Sequence, residues 1–148
     1  FLLRVRIGYP PPQVEMRLLL GGETDTARNV ETILDPGRLV ELQREVHRVS
    51  LDSSLGNYLH AIIQATRTSP LLGLGASTRG AIALGNAARA RAMLRGRGYC
   101  IADDIQDLAV PVLAHRVRLA SQAEGFAPSR DEAETAIREI VARIPVPL

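Results

Sequence analysis

The residues best placed to do chemistry are Gly75-Ala76-Ser77-Thr78-Arg79, which lead into a run of small residues from Gly80 to Ala88. Gly73 and Gly75 precede a serine in helix-capping position, and the arginine follows in the first helical turn. The start of a helix carries unpaired N–H groups and a partial positive charge, so it attracts anions. Arg79 adds a planar, permanently charged fork that matches phosphate oxygens. The chemistry implied is recognition of a phosphate, with no visible means of cleaving one.

The missing motifs narrow the reading further. A phosphate-cradling Gly-x-x-x-x-Gly-Lys-Ser/Thr loop needs a lysine, and all 18 basic residues of this chain are arginine. There is no His-Glu-x-x-His and no Cys-x-x-Cys; His47, His60 and His115 show no ligand spacing, so no metal site is expected. The single cysteine, Cys100, excludes an internal disulfide and points to a reducing, cytoplasmic setting. No apolar run reaches the roughly 18 residues of a membrane span, and no signal peptide is recognisable.

Stepping outward, 148 residues make one ordinary domain, with 46% hydrophobic but only 3% aromatic residues and no Trp. An aliphatic core of closely packed helices follows, and a base-stacking platform for nucleic acid does not. The net charge of +2 hides an asymmetry. No acidic residue lies between Asp52 and Asp103, yet that span holds Arg67, Arg79, Arg89, Arg91, Arg95 and Arg97. These arginines either pair with groups elsewhere in the fold or form an anion-facing surface. The chain opens at Phe1 in what reads as the middle of an element, so a piece of a longer protein is expected.

The elements that must position Arg79 are helices. Leu3, Val5 and Ile7 alternate with Arg4 and Arg6, a strand period. A lone strand has no sheet, so residues 1–8 are expected to be disordered or to pair non-natively. A helix is expected from Pro11 or Pro12 to Leu20, then a polar connector to Leu34. Asp35-Pro36 caps a helix ending near Arg48, and Asp52 or Ser53 caps one closed by Thr68-Ser69-Pro70. The helix after Ser77 runs to about Arg95, and its Ala and Gly content predicts close approach of a neighbouring backbone. Tyr99-Cys100-Ile101 reads as extended, and Asp103 and Asp104 open a short helix. Pro111 starts another, to about Arg118, and Ser129-Arg130-Asp131-Glu132 is a capping box for a last helix. The sum is an all-α small bundle with one orphan N-terminal strand.

With these elements placed, the chain resembles the C-terminal part of a MoxR-type AAA+ ATPase. Phe1 to Pro10 resembles the last strand and exit turn of the ATPase core. Ala65-Thr66-Arg67 with Gly75-Ala76-Ser77-Thr78-Arg79 resembles the sensor-2 region. Gly96-Arg97-Gly98-Tyr99 with Asp103-Asp104-Ile105, Val112-Leu113-Ala114-His115-Arg116, and Ile144-Pro145-Val146-Pro147 resemble further family segments in the same order. Two positions depart from the pattern. Thr78 stands where the family usually has proline, and Ile101-Ala102 where it usually has Thr-Pro; an isoleucine cannot cap, at a cost of about 1 kcal/mol.

The resemblance implies three segments: 1–10 as the end of the core, 11–34 as a linking helix and connector, and 35–148 as a helical lid. It implies that ATP is the cofactor, with Mg²⁺ held by the core, and that Arg79 is the catalytic sensor reaching the terminal phosphate. Gly75, Ala76 and Ser77 would shape the turn that delivers it. Tyr9 and Pro10 would border the adenine, with hinge packing the plainer role for Tyr9. The implied partners are the chain's own P-loop core, neighbouring subunits of a hexameric ring, a von Willebrand factor A domain protein and a client complex, in a chaperone. Nothing implies a membrane. Two other readings remain: a helical nucleic-acid binder built on the arginine span, and a protein-interaction module with no link to nucleotide.

Overall fold

Capping and apolar spacing decide where each helix of the computed structural model begins and which face it buries. The structure describes residues 1–21, 31–121 and 130–147. Helix α1 spans Pro12–Leu19, with proline in its first turn. Helix α2 spans Pro36–Val46, and Asp35 caps it by accepting the Arg38 N–H at 2.9 Å. Helix α3 spans Ser53–Thr68, capped by Asp52, which accepts the Leu55 N–H at 3.0 Å. Its buried face is Leu55, Tyr58, Leu59, Ile62, Ile63 and Thr66, the stripe legible in the sequence. Strand β1 spans Leu72–Leu74 and helix α4 Thr78–Leu94, followed by α5 at Ala102–Leu113, β2 at Arg118–Leu119 and α6 at Arg130–Ala142.

The all-α bundle is borne out. The core gathers Ile62 and Ile63 of α3, Leu84 of α4, Ile105, Val112 and Leu113 of α5, and Ile137 of α6, all 0–1% exposed. Helix α4 packs mainly on α5, and α5 on α6. Ser50 joins the turn after α4 in parallel fashion: its N–H donates to Gly98 O and its carbonyl accepts from Cys100 N, both at 2.9 Å. Tyr99-Cys100 is therefore extended, as its sequence reads. Cys100 is buried, and that burial pushes its thiol up, away from reactivity.

The structure departs from the sequence reading in three places. No new helix starts at Pro111; α5 runs through it to Leu113, and Arg118 belongs to β2. The proline sits in the last turn, so only one intrahelical bond is lost, at the carbonyl of the exposed Asp107. The β1–β2 pair, with Leu72 opposite Leu119, has no counterpart in the sequence reading because runs of two or three residues carry no period. Residues 1–10 form neither helix nor strand. Lacking a sheet, the segment pairs with the bundle, one of the two outcomes expected of it. Arg4 N donates to Pro111 O at 2.8 Å, Arg116 donates to Leu2 O at 3.2 Å and to Phe1 O, and Arg6 pairs with Glu134 at 2.9 Å and with Asp131.

Much of the expected connector, residues 22–30, lies outside the described residues, as does Ser129 of the expected capping box. Behind that box, Ala136, Ile137, Ile140 and Val141 bury one face of α6, as their spacing requires.

Candidate functional site

The loop before α4 is clamped by the end of α3. The Ala76 N–H donates to Thr66 Oγ1 at 3.0 Å, and the same hydroxyl donates to Ile63 O at 2.6 Å. Thr66 is fully buried, so its hydroxyl serves as both donor and acceptor with no water needed. The Arg67 Nε–H donates to Ala76 O at 2.9 Å. Both polar groups of the Ala76 backbone are thus held by adjacent residues of one helix end.

Gly75 is required by this clamp. A Cβ there would lie 2.6 Å from Arg67 Cα and 2.6 Å from Thr66 O, inside backbone atoms that cannot yield. The two backbones touch, and only a residue without a side chain fits. Strand β1 anchors the upstream end of the loop through its pairing with β2. Downstream, Ser77 caps α4, its Oγ accepting the Gly80 N–H at 3.3 Å.

The close packing expected of α4 is against α5, the element it meets most extensively. Added Cβ atoms at Gly80 and Gly85 would meet only side chains, the nearest at 3.6 and 3.7 Å, which is ordinary contact. The tightest glycine is Gly75, where two backbones touch. Buried Ala83, Ala87, Ala88 and Ala92 seat α4 deep in the core, which fixes the direction of its first turn.

Arg79 emerges from that turn. It is exposed, and among the described residues it forms no hydrogen bond and no ion pair. No acidic residue shares the first turn of α4. An unneutralised guanidinium therefore sits beside the free N–H groups of a capped helix, on a loop fixed at three points. The arrangement is fitted to receive an oxyanion.

Four of the other arginines in the acid-free span are engaged within the fold. Arg67 binds Ala76 O, Arg89 donates to Val49 O at 3.2 Å, and Arg91 donates to Asp103 O at 2.6 Å and pairs with Asp107. Arg97 grips Asp104 through two bonds, Nη1 to Oδ2 at 2.8 Å and Nη2 to Oδ1 at 2.7 Å. Of the six, Arg79 and Arg95 are left with no partner for their side chains among the described residues, while Arg91 and Arg97 are neutralised by carboxylates.

The Arg97–Asp104 pair explains the Gly96-Arg97-Gly98-Tyr99 and Asp103-Asp104-Ile105 segments. Asp104 is 1% exposed. Burial works against its charge, but Arg97, the Ile101 N–H at 2.9 Å and Arg91 together hold the carboxyl below the usual carboxylate range. Ile101 offers no capping acceptor to α5, as expected; the Asp104 carboxylate reaches back to its N–H instead.

Gly75, Ala76, Ser77 and Arg79 are therefore brought together as one loop and helix start. Tyr9 and Pro10 are exposed, and no hydrogen bond connects them to that loop. Thr66 supplies the brace, a role its sequence position alone did not reveal. The clue available was a threonine in the last turn of an apolar helix, nine residues before the glycine. No group of metal-binding side chains occurs among the described residues, and none of their helices is long and apolar enough to cross a membrane.

The family model for the AAA lid domain matches residues 64–140, the stretch from the Thr66 brace into the last turn of α6. The chain belongs to the AAA lid domain family. It is 40% identical over 151 residues to the uncharacterized protein YeaC of Bacillus subtilis, covering all of this chain and 46% of that protein. It is 31% identical over 132 residues to the chaperone MoxR1 of Mycobacterium tuberculosis, covering 83% of this chain and 35% of the other. The crystal structure of a candidate ATPase from Cytophaga hutchinsonii superposes with a TM-score of 0.81 at 25% identity, over the whole of this chain and 47% of that one. The chain thus spans less than half the length of each of these relatives, and the likeness to MoxR-type ATPases drawn from its motifs is borne out.

Proposed function

We propose that this lid senses the terminal phosphate of ATP through Arg79 and couples its loss to lid rotation. The observation that carries the reading is the unpaired, exposed Arg79 at the capped start of α4, on a loop braced by Thr66 and Arg67. ATP would lie between this lid and a P-loop core that also holds Mg²⁺. A charge-assisted contact from Arg79 exists only while the terminal phosphate is attached, so hydrolysis removes a differential interaction and the lid angle relaxes. The brace matters because it makes the loop and α3 move as one body.

In this reading residues 1–10 close the core, 11–34 link, and 35–148 form the lid, with Tyr9 and Pro10 near the adenine. Lid rotation within a hexameric ring becomes motion against a neighbour, in a cytoplasmic chaperone acting with a von Willebrand factor A domain protein on a client complex. The chain alone, without a lysine-bearing phosphate loop, turns over no ATP.

The test is Arg79→Ala in an ATPase that joins this chain to its core. Turnover should fall by at least tenfold, about 1.4 kcal/mol of transition-state stabilisation, while the circular dichroism spectrum is retained. Unchanged turnover would remove the sensor role.

A further inference from the structure

Arg67 lies in the last turn of α3, beside the fully buried Thr66, and is itself exposed. Its backbone runs against the loop: a Cβ on Gly75 would lie 2.6 Å from Arg67 Cα and 2.7 Å from Arg67 N. Its side chain bridges the same contact, donating from Nε to Ala76 O at 2.9 Å.

That bond uses one of the five donors of the guanidinium. Nη1 and Nη2, which carry the other four, meet no acceptor and no carboxylate among the described residues. Bracing the loop needs only a donor at the Nε position, which a glutamine would supply with its amide nitrogen. The fork beyond Nε has no task within the fold. The guanidinium is planar, so the bond from Nε fixes its plane and leaves the Nη1–Nη2 edge free for a bidentate acceptor.

Charge makes the same point. Arg79 follows Ala76 by three residues, at most about 10 Å of chain, so two long cationic side chains start from one clamp. Like charges held this close repel. Elsewhere the fold supplies carboxylates, Asp107 to Arg91 and Asp104 to Arg97. It supplies none to Arg67 or Arg79 among the described residues.

We propose that Arg67 is a second contact to the terminal phosphate of ATP, its Nη1–Nη2 fork engaging phosphate oxygens alongside Arg79. The proposal rests on the reading of Arg79 as the phosphate sensor and adds a requirement to it. The two arginines belong to different helices, so the phosphate ties α3 to α4 directly, and its loss releases both.

The experiment is equilibrium binding of a non-hydrolysable ATP analogue and of ADP, each with Mg²⁺, to the ATPase that joins this chain to its core. Arg67→Gln is the deciding variant. Its amide nitrogen stands where Nε stands, so the bond to Ala76 O can be kept while both Nη groups are removed. The analogue should bind about tenfold more weakly, the effect of one charge-assisted contact, and ADP should bind as before. Undiminished analogue binding, or an equal loss for both nucleotides, would overturn the proposal.

The loss should recur when Arg67→Gln is added to Arg79→Ala. No further loss in that background would mean that Arg67 acts only through the loop, and the contact would be rejected. The two readings fail differently. A weakened Arg79→Ala beside an unchanged Arg67→Gln removes the Arg67 contact alone, whereas intact analogue binding in Arg79→Ala removes the sensor reading and this contact with it. Urea unfolding of the 148-residue chain should give the same midpoint for the parent and Arg67→Gln. A lower midpoint in the variant would show the fork to be structural and would also overturn the proposal.

Discussion

Thr66 and Ala76 are ten residues apart, yet the Thr66 hydroxyl receives the Ala76 N–H at 3.0 Å in a fully buried setting. This bond fixes the loop that carries Arg79 to the end of α3. Around it, stability and function are assigned to different residues, and the assignments can be tested one at a time.

Thr66→Val keeps the shape of the side chain but removes the acceptor. The Ala76 N–H would then be buried without a partner, a loss of about 1–3 kcal/mol. Urea unfolding of the parent and the variant should show a lower midpoint with an unchanged slope. A midpoint equal to the parent's would mean that the bond contributes nothing.

The glycines before and within α4 should respond in opposite directions. Gly75→Ala places a methyl 2.6 Å from two backbone atoms and should destabilise the fold. At Gly85 the nearest atom to an added Cβ is Leu59 Cδ1 at 3.7 Å, so alanine fits, and helix propensity should raise stability by about 0.5–1 kcal/mol. Thermal melts of both variants decide the matter, and matching signs would contradict the packing described.

Asp104 should govern the acid limb of stability. Its carboxyl is held below its unfolded-state value, so its contribution is complete above about pH 4, the ordinary carboxylate pKa. That contribution is lost as pH falls through the lower folded value. Asp104→Ala leaves Arg97 facing a vacated buried position and should cost about 3 kcal/mol at neutral pH. The gap between parent and variant should narrow below pH 4 in chemical denaturation. A gap independent of pH would mean that the charge of Asp104 is not what stabilises the turn.

Arg79 should be neutral to folding. It is exposed and unpaired, so Arg79→Ala should change stability by no more than about 0.5 kcal/mol. Denaturant curves should overlay, and a clear loss of stability would mean that the side chain has a structural partner.

The sequence was most readable where one local rule decides the outcome. Asp35, Asp52 and Ser77 announce their helices because a capping side chain acts within three residues. The apolar stripes of α3 and α6 announce their buried faces because helical spacing is a property of the chain alone. The lid family was legible from motifs in order. Arg97 and Asp104 were visible as residues but not as a pair, since a seven-residue separation across a turn has no signature. Pro111 misled because its effect depends on how much helix follows it, which tertiary packing sets. The strand period of residues 1–8 describes a preference that only a neighbouring sheet can realise.

The separation between brace and arginine has a consequence for how such a chain tolerates change. Gly75 and Thr66 are screened by every folding event, so a damaging substitution there is exposed as lost protein before any activity is tried. Arg79 escapes that screen. A copy of this chain that lost its role could drift at position 79 and remain a well-folded domain, and the identity of that one surface residue would record whether the role had been kept.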